Sequence, residues 1–159
     1  MIVRNADKQD MPQVLELIKE LAVFEKEPAS VVEVTVSDLE EAGFGENPQF
    51  ICFVAEANQE IKGLALVYFR FSTWKGKTLH LEDLIVREID RGKGIGMLLY
   101  KEVLKFAKKE KVKRVNWVVL DWNENAIQFY EKTGAEVLDD WRLVEMNKDA
   151  LEFFLNEDI

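Results

Sequence analysis

Two short stretches carry residue types that could do chemistry. The first is Arg91-Gly92-Lys93-Gly94-Ile95-Gly96, which places three of the chain's eight glycines within five positions. It directly precedes an amphipathic segment and so sits where a helix begins. Unpaired backbone N–H groups and the positive end of the dipole make a helix start an anion site. Glycines let those groups converge with no Cβ in the way, and Arg91 and Lys93 add positive charge. The combination suits a phosphate or pyrophosphate, although a plain strand-to-helix turn could carry so short a pattern. The second stretch is "LHLEDLIV" (79–86), where Glu82 and Asp83 interrupt an apolar strand. Burying carboxylates is costly without partners or a purpose. Side chains alternate across a strand, so the two acids face opposite ways unless a bulge intervenes. His80, two residues before Glu82, falls on the same face, as a structural residue or as a proton relay.

Neither common nucleotide motif fits the loop. A dinucleotide fingerprint needs G-x-G-x-x-G, and Met97 occupies the place of its last glycine. A P-loop needs Gly-Lys followed by Ser or Thr, and here Gly94 follows Lys93.

These residues must be placed by the elements around them. "IVR" (2–4) suggests a first strand. From Met11, apolar residues at Val14, Leu15, Ile18, Leu21 and Ala22 predict a helix, with Pro12 tolerated near its start. A short helix with a start signal at Thr35 or Ser37 is expected to end at Gly43. "FICFVAEA" and "EIKGLALVYFRFS" read as strands meeting at a turn near Asn58, and "KTLHLEDLIV" as a further strand. Ile95, Leu98, Leu99, Val103, Phe106 and Ala107 share one face of a helix. "VKRVNWVVLD" predicts a strand, and "NENAIQFYEKTG" a helix stopped by Gly134. "AEVLDD" and "WRLVEMNK" predict two last strands, and "ALEFFLNEDI" a short helix or tail. A meander of strands followed by a β-α-β unit is mixed α/β around one sheet.

The chain of 159 residues is expected to form a single domain, 1–159. A domain of this size buries roughly 70% of its unfolded surface, so it needs no disulfide or metal to fold. The lone Cys52 reads as a buried small hydrophobe, and no cluster has metal-ligand spacing. The net charge of −9 argues against nucleic-acid binding. It accords with a small cationic substrate or simply with solubility. No apolar run is long enough for a membrane span, and no signal peptide is visible, so a cytoplasmic location is expected.

Arg91-x-x-Gly94-x-Gly96 resembles the acetyl-coenzyme A loop of the Gcn5-related N-acetyltransferase (GNAT) superfamily. The later run Asn123-x-x-Ala126-Ile127-x-x-Tyr130-Glu131-Lys132-x-Gly134-Ala135 is similar to that superfamily's second motif. "ELAVFEKE", "DLEEAGFGENP", "FSTWKGKTLHLEDLIV", "VLDWNENAIQFYEKTGA" and "WRLVEMNK" narrow the likeness to the diamine acetyltransferases. That family includes spermidine/spermine acetyltransferases and a branch acetylating the ε-amine of thialysine. "STWKGKT" and "VLDWN" look closer to the thialysine branch. The polyamine branch carries an aspartate at the position of Ser72 and a tyrosine at that of Phe24, so both residues point away from it.

The resemblance implies a single-domain GNAT fold, a mixed, mostly antiparallel twisted sheet flanked by helices. It implies acetyl transfer from acetyl-CoA to a primary amine without a metal, in a homodimer. An alkyl ammonium must lose a proton before it can attack, and the departing thiolate must gain one. By the same likeness, Tyr130 is the general acid and Glu82 the base, acting through water. Leu84, Ile85 and Val86 would pair with the pantetheine amides as an added strand does. Arg91, Gly92, Lys93, Gly94, Ile95, Gly96 and Met97 would hold the pyrophosphate, Asn123 and Tyr130 the pantetheine arm. Phe24, Glu25, Trp74, Glu82, Asp83, Trp122 and Trp141 match the amine pocket, where carboxylates and tryptophan faces attract cations. Peptide or protein N-acetylation, and a coenzyme-binding sensor without catalysis, are the competing possibilities.

Overall fold

The sheet is organised by two tight hairpins and one helical crossover. In the structure, a computed structural model describing residues 1–156, strands β1 (Ile2–Asn5), β2 (Ile51–Ala57), β3 (Glu60–Ser72), β4 (Gly76–Val86) and β5 (Val115–Asn116) lie side by side in that order. The first three pairings are antiparallel and β4–β5 is parallel. Asn58 and Gln59, both at positive φ, make the two-residue turn between β2 and β3 that the sequence suggests. At the β3–β4 turn, Ser72 Oγ accepts from the backbone N–H groups of Trp74 and Lys75.

Helix α1 (Met11–Phe24) starts with Pro12 in its first turn and buries Met11, Val14 and Leu17. Leu15, Ile18 and Leu21 pack beside them against the same core. Helix α2 (Val36–Phe44) is capped by Thr35, whose hydroxyl accepts from the Asp38 N–H while the Asp38 carboxylate accepts from the Thr35 N–H. It runs past Gly43 to a cap at Gly45. Gly43 is a packing residue instead of a stop, because a Cβ there would come within 2.8 Å of the Phe50 ring.

The strands alternate as a sheet covered on both faces must. Cys52, Val54, Leu64 and Leu66 join the α1–α2 side of the core. On the other face lies α3 (Ile95–Lys109), whose Phe106 ring meets those of Phe53 and Phe69 at 5.5 and 5.9 Å. Cys52 is buried as expected, and burial first, then the Asp83 and Asp10 charges, push its thiol up to about 12. Near β1, Arg4 bonds Glu56 at 2.8 Å and Asp10 at 2.6 Å. That bond holds the Asp10 carboxyl below the usual carboxylate range against the opposing effect of burial.

The described residues divide into two compact units, Met1–Val118 and a C-terminal one beginning at Val119. In the second, α4 (Glu124–Glu131) begins at Asn123, whose side chain accepts from the Ala126 N–H. The chain turns out of α4 at Gly134, φ 89°. The strand expected over 112–121 shrinks to the two residues of β5, and the two expected over 135–148 do not form. Leu138, Trp141, Leu143, Val144 and Met146 are exposed there. Alternation along one segment is a local signal and specifies no ladder partner. Helix α5 (Lys148–Asn156) occupies most of the last predicted segment, whose residues 157–159 lie outside the described residues. Among the described residues no helix is long and apolar enough to cross a membrane.

Gly63 on β3 marks the tightest approach in the sheet. A Cβ there would lie 2.6 Å from the Ile85 carbonyl oxygen and 3.1 Å from the Leu99 side chain of α3. Gly63→Ala should therefore lower stability by about 1–3 kcal/mol. The check is a shifted denaturation midpoint at constant slope; an unshifted midpoint would show that β3 and β4 can part there freely.

Candidate active site

The site is built on the second half of β4. This strand pairs with β3 along its whole length, down to Gly63↔Val86. Its other edge meets β5 only at Leu79↔Val115 and His80↔Asn116. From residue 81 to 86 that edge has no ladder partner among the described residues. The Ile85 carbonyl points towards Gly63, inside the β3 ladder. The Val86 carbonyl points away from β3 and accepts from Arg91 Nε at 3.1 Å. Alternation then turns the backbone groups of Leu84 and Val86 to the open edge and those of Ile85 inward.

A bulge sets the acids. The register steps from Leu66↔Asp83 to Val67↔Leu81, so Glu82 is the extra residue on β4. Glu82 is exposed and Asp83 half-buried. Burial first, then the Glu82 and Glu25 charges, push the Asp83 carboxyl up to about 7. Glu25, the cap residue ending α1, is itself raised by burial. The three carboxylates form a negative site that an ammonium would relieve. Among the described residues, no group of three or more His, Cys, Asp and Glu could hold a metal ion.

The glycine loop follows on the same strand. Gly92 and Gly94 have φ 75° and 80°, left-handed values that glycine tolerates, and Gly94 caps α3. The first N–H groups of this 15-residue helix follow directly, without partners inside the helix. Gly96 differs, for its backbone is ordinary and a Cβ would meet only the Val86 side chain at 3.8 Å. The fold itself would accept alanine there, so the bare backbone suits the close approach of a ligand. These features fit a pyrophosphate. Arg91 lies with its guanidinium 4.7 Å over the Phe24 ring. Lys93 is bound to the buried Asp90 at 2.6 Å, so its charge serves the loop's own structure. A cavity of about 650 Å³ runs beside the loop, lined by Glu16, Glu20, Phe24, Glu88 and Arg91 among others.

The first unit thus brings together Phe24, Glu25, Glu82, Asp83 and the loop. It does not bring Trp74, which is 81% exposed at the β3–β4 turn, about 20 Å along the strand from Asp83. Tyr130, Asn123, Trp122 and Trp141 belong to the C-terminal unit. There Tyr130 is buried on α4 with its ring edge-on to Phe129 at 5.3 Å. Trp122 and Trp141 are exposed. Tyr68, Arg70 and Asn116 escaped the sequence reading. Tyr68 faces His80 across the β3–β4 register, ring to ring at 5.0 Å, and burial first, then Glu82, push its hydroxyl above the usual tyrosine range. Their only sequence signal is strand register, which one sequence does not display.

Comparison with known proteins agrees with this geometry. The model of the acetyltransferase (GNAT) family matches residues 12–135. The chain belongs to the GNAT family. It is an N-acetyltransferase, and members of this family use acetyl-CoA as the acetyl donor. It is 34% identical to the thialysine N-epsilon-acetyltransferase of Bos taurus, over 95% of either chain. It is 36% identical to the human spermidine/spermine N(1)-acetyltransferase-like protein 1, over 94% of this chain but 23% of that protein. An integron cassette protein from the mobile metagenome of V. cholerae shares the fold, with TM-score 0.78 at 21% identity over 98% of each chain.

The raised Asp83 has a thermodynamic consequence. Between the ordinary aspartate pKa near 4 and about 7, the native protein holds a proton that the unfolded chain has released. This contribution to stability is complete at low pH and is lost as pH rises through about 7. Asp83→Asn should therefore melt increasingly above the parent between about pH 4 and pH 8, by several degrees at the upper end. A melting difference that stays constant with pH would show that Asp83 is ionised throughout.

Proposed function

We propose that this chain transfers the acetyl group of acetyl-CoA directly to the primary amine of a small cationic amine, a thialysine-like amino acid or a diamine. The observation that carries this is the open edge of β4, which runs from the Glu82–Asp83 bulge to the glycine loop at the start of α3. Acetyl-CoA would supply the activated acyl group as a thioester. Leu84 and Val86 would offer backbone hydrogen bonds to its pantetheine arm, with Asn123 contributing a side chain and Ile85 packing beneath. Residues 91–97 would take the pyrophosphate, Gly96 by close approach and Arg91 by charge.

Glu25 and Asp83 would hold the ammonium groups of the acceptor, with Phe24, Trp122 and Trp141 as apolar or cation-attracting walls. Glu82 would take the amine proton through a water molecule, and the Tyr130 hydroxyl would give one to the departing thiolate. The proton count then balances: the amine loses one as its nitrogen–carbon bond forms, and the sulfur gains one as its carbon bond breaks. One domain spans 1–159, it works as a homodimer, and it resides in the cytoplasm. The relatives' names support the substrate class, since one is named for thialysine and another for spermidine and spermine.

Release of the coenzyme A thiol, followed with thialysine, lysine, spermidine and spermine, tests this. Thialysine should be turned over fastest, in keeping with Ser72 and Phe24. No release with any of the four, despite acetyl-CoA binding, would overturn the substrate class. Tyr130→Phe and Glu82→Gln should each lower kcat by about 10²–10⁴. Full turnover by Tyr130→Phe would remove the assigned acid, and an unchanged pH–rate profile for Glu82→Gln the assigned base.

A further inference from the structure

Resting on Glu82 as the proton acceptor, we propose that His80 is a positioning residue: a neutral imidazole, fixed with its proton on Nε2, whose Nε2 edge faces Glu82 and keeps that carboxylate aimed. His80 is 7% exposed and lies two residues before Glu82 on β4. Its Nδ1 is 3.3 Å from Arg70 Nη1 and 3.2 Å from Asn116 Nδ2. A guanidinium can only donate, so Nδ1 must be the bare lone pair. The proton then sits on Nε2, which is 3.4 Å from Glu82 Oε2. That separation is long, as catalytic contacts commonly are before a substrate tightens them.

The groups around the ring all favour this arrangement. Tyr68 and Arg70 face it from β3, Glu82 from β4 and Asn116 from β5. A proton on Nδ1 would point at two donors. Burial first, and Arg70 after it, hold the imidazole below the ordinary histidine range against the opposing pull of Glu82. The same geometry excludes a relay through the ring. A proton arriving at Nε2 would have to leave from Nδ1, which among the described residues faces the Arg70 guanidinium and the Asn116 amide N–H, both donors.

His80 is the chain's one histidine, so its imidazole nitrogen signals in an NMR spectrum need no assignment. The expected spectrum is that of the Nε2–H tautomer, neutral to below the ordinary histidine pKa, and Arg70→Met should mix the tautomers. An Nδ1–H tautomer, or ordinary titration, would overturn the proposal without reference to catalysis. The second arm is kcat. His80→Leu should lower kcat by about tenfold or more with KM little changed, because a freed carboxylate is no longer aimed. His80→Gln, which keeps an amide donor at the place of Nε2, should restore it. Thermal melts establish that both variants are folded. An unchanged kcat in His80→Leu, or an equal kcat in the two variants, would overturn the positioning role while leaving Glu82 as base. Loss of the base itself would show separately, as a Glu82→Gln profile unchanged from the parent, and would remove the His80 role with it.

Discussion

Pairing along β4 is the constraint on which the rest depends. The strand pairs with β3 at every residue but the bulged Glu82, while among the described residues its other edge has a ladder partner, β5, at only two. Open strand edges expose polar groups that seek partners, and folds cover or use them. Here one exposed carbonyl, that of Val86, is met by the Arg91 side chain, which bends back from the loop. The same bond fixes where the loop begins, and the helix start that follows it inherits its position. The bulge at Glu82 lies on this half of the strand, so the acids and the loop share one rigid support.

Two carboxyls of the first unit, Asp10 buried and Asp83 half-buried, show how environment separates structure from site. Asp10 is buried against Arg4, and its acidity is strengthened. Asp83 is half-buried, but its charged neighbours are Glu82 and Glu25, and its acidity is weakened. A carboxylate matched to an arginine has its counterion built in, and mainly holds β1 and α1 together. One placed among other carboxylates is costly for the fold and becomes favourable when a cation arrives. The net charge of −9 extends that preference beyond the site itself.

What the sequence made legible was local. Helical periodicity located α1 and α3, a start signal at Thr35 or Ser37 located α2, and the break between two strand-like runs near Asn58 located the β2–β3 turn. The loop and the acidic pair stood out because glycines and carboxylates are conspicuous beside apolar neighbours. The relations between distant segments did not stand out. Register brings Tyr68 and Arg70 to His80, and nothing in the spacing of residues 68 to 80 discloses it. Alternation is a local signal that names no ladder partner, so the alternating residues of 135–148 suggested strands that do not form. Gly43 misled for a related reason: its smallness serves the Phe50 ring, a contact 7 residues away in sequence but made only by folding.

The three loop glycines also divide differently in space than in sequence. Gly92 and Gly94 are needed by the chain itself, since any other residue would be strained at their positive φ. They would be needed for a bare turn as much as for a phosphate, so their presence argues for neither. Lys93 is likewise committed to Asp90. Gly96 is different, because neither its backbone nor its neighbours in the first unit demand glycine. Within a helix the missing side chain costs up to about 1 kcal/mol relative to alanine. A cost borne without a structural return is best explained by something that must come close to the helix start. The case for an anion in this loop therefore rests on one glycine and a row of N–H groups, and not on the count of glycines that first drew attention to it.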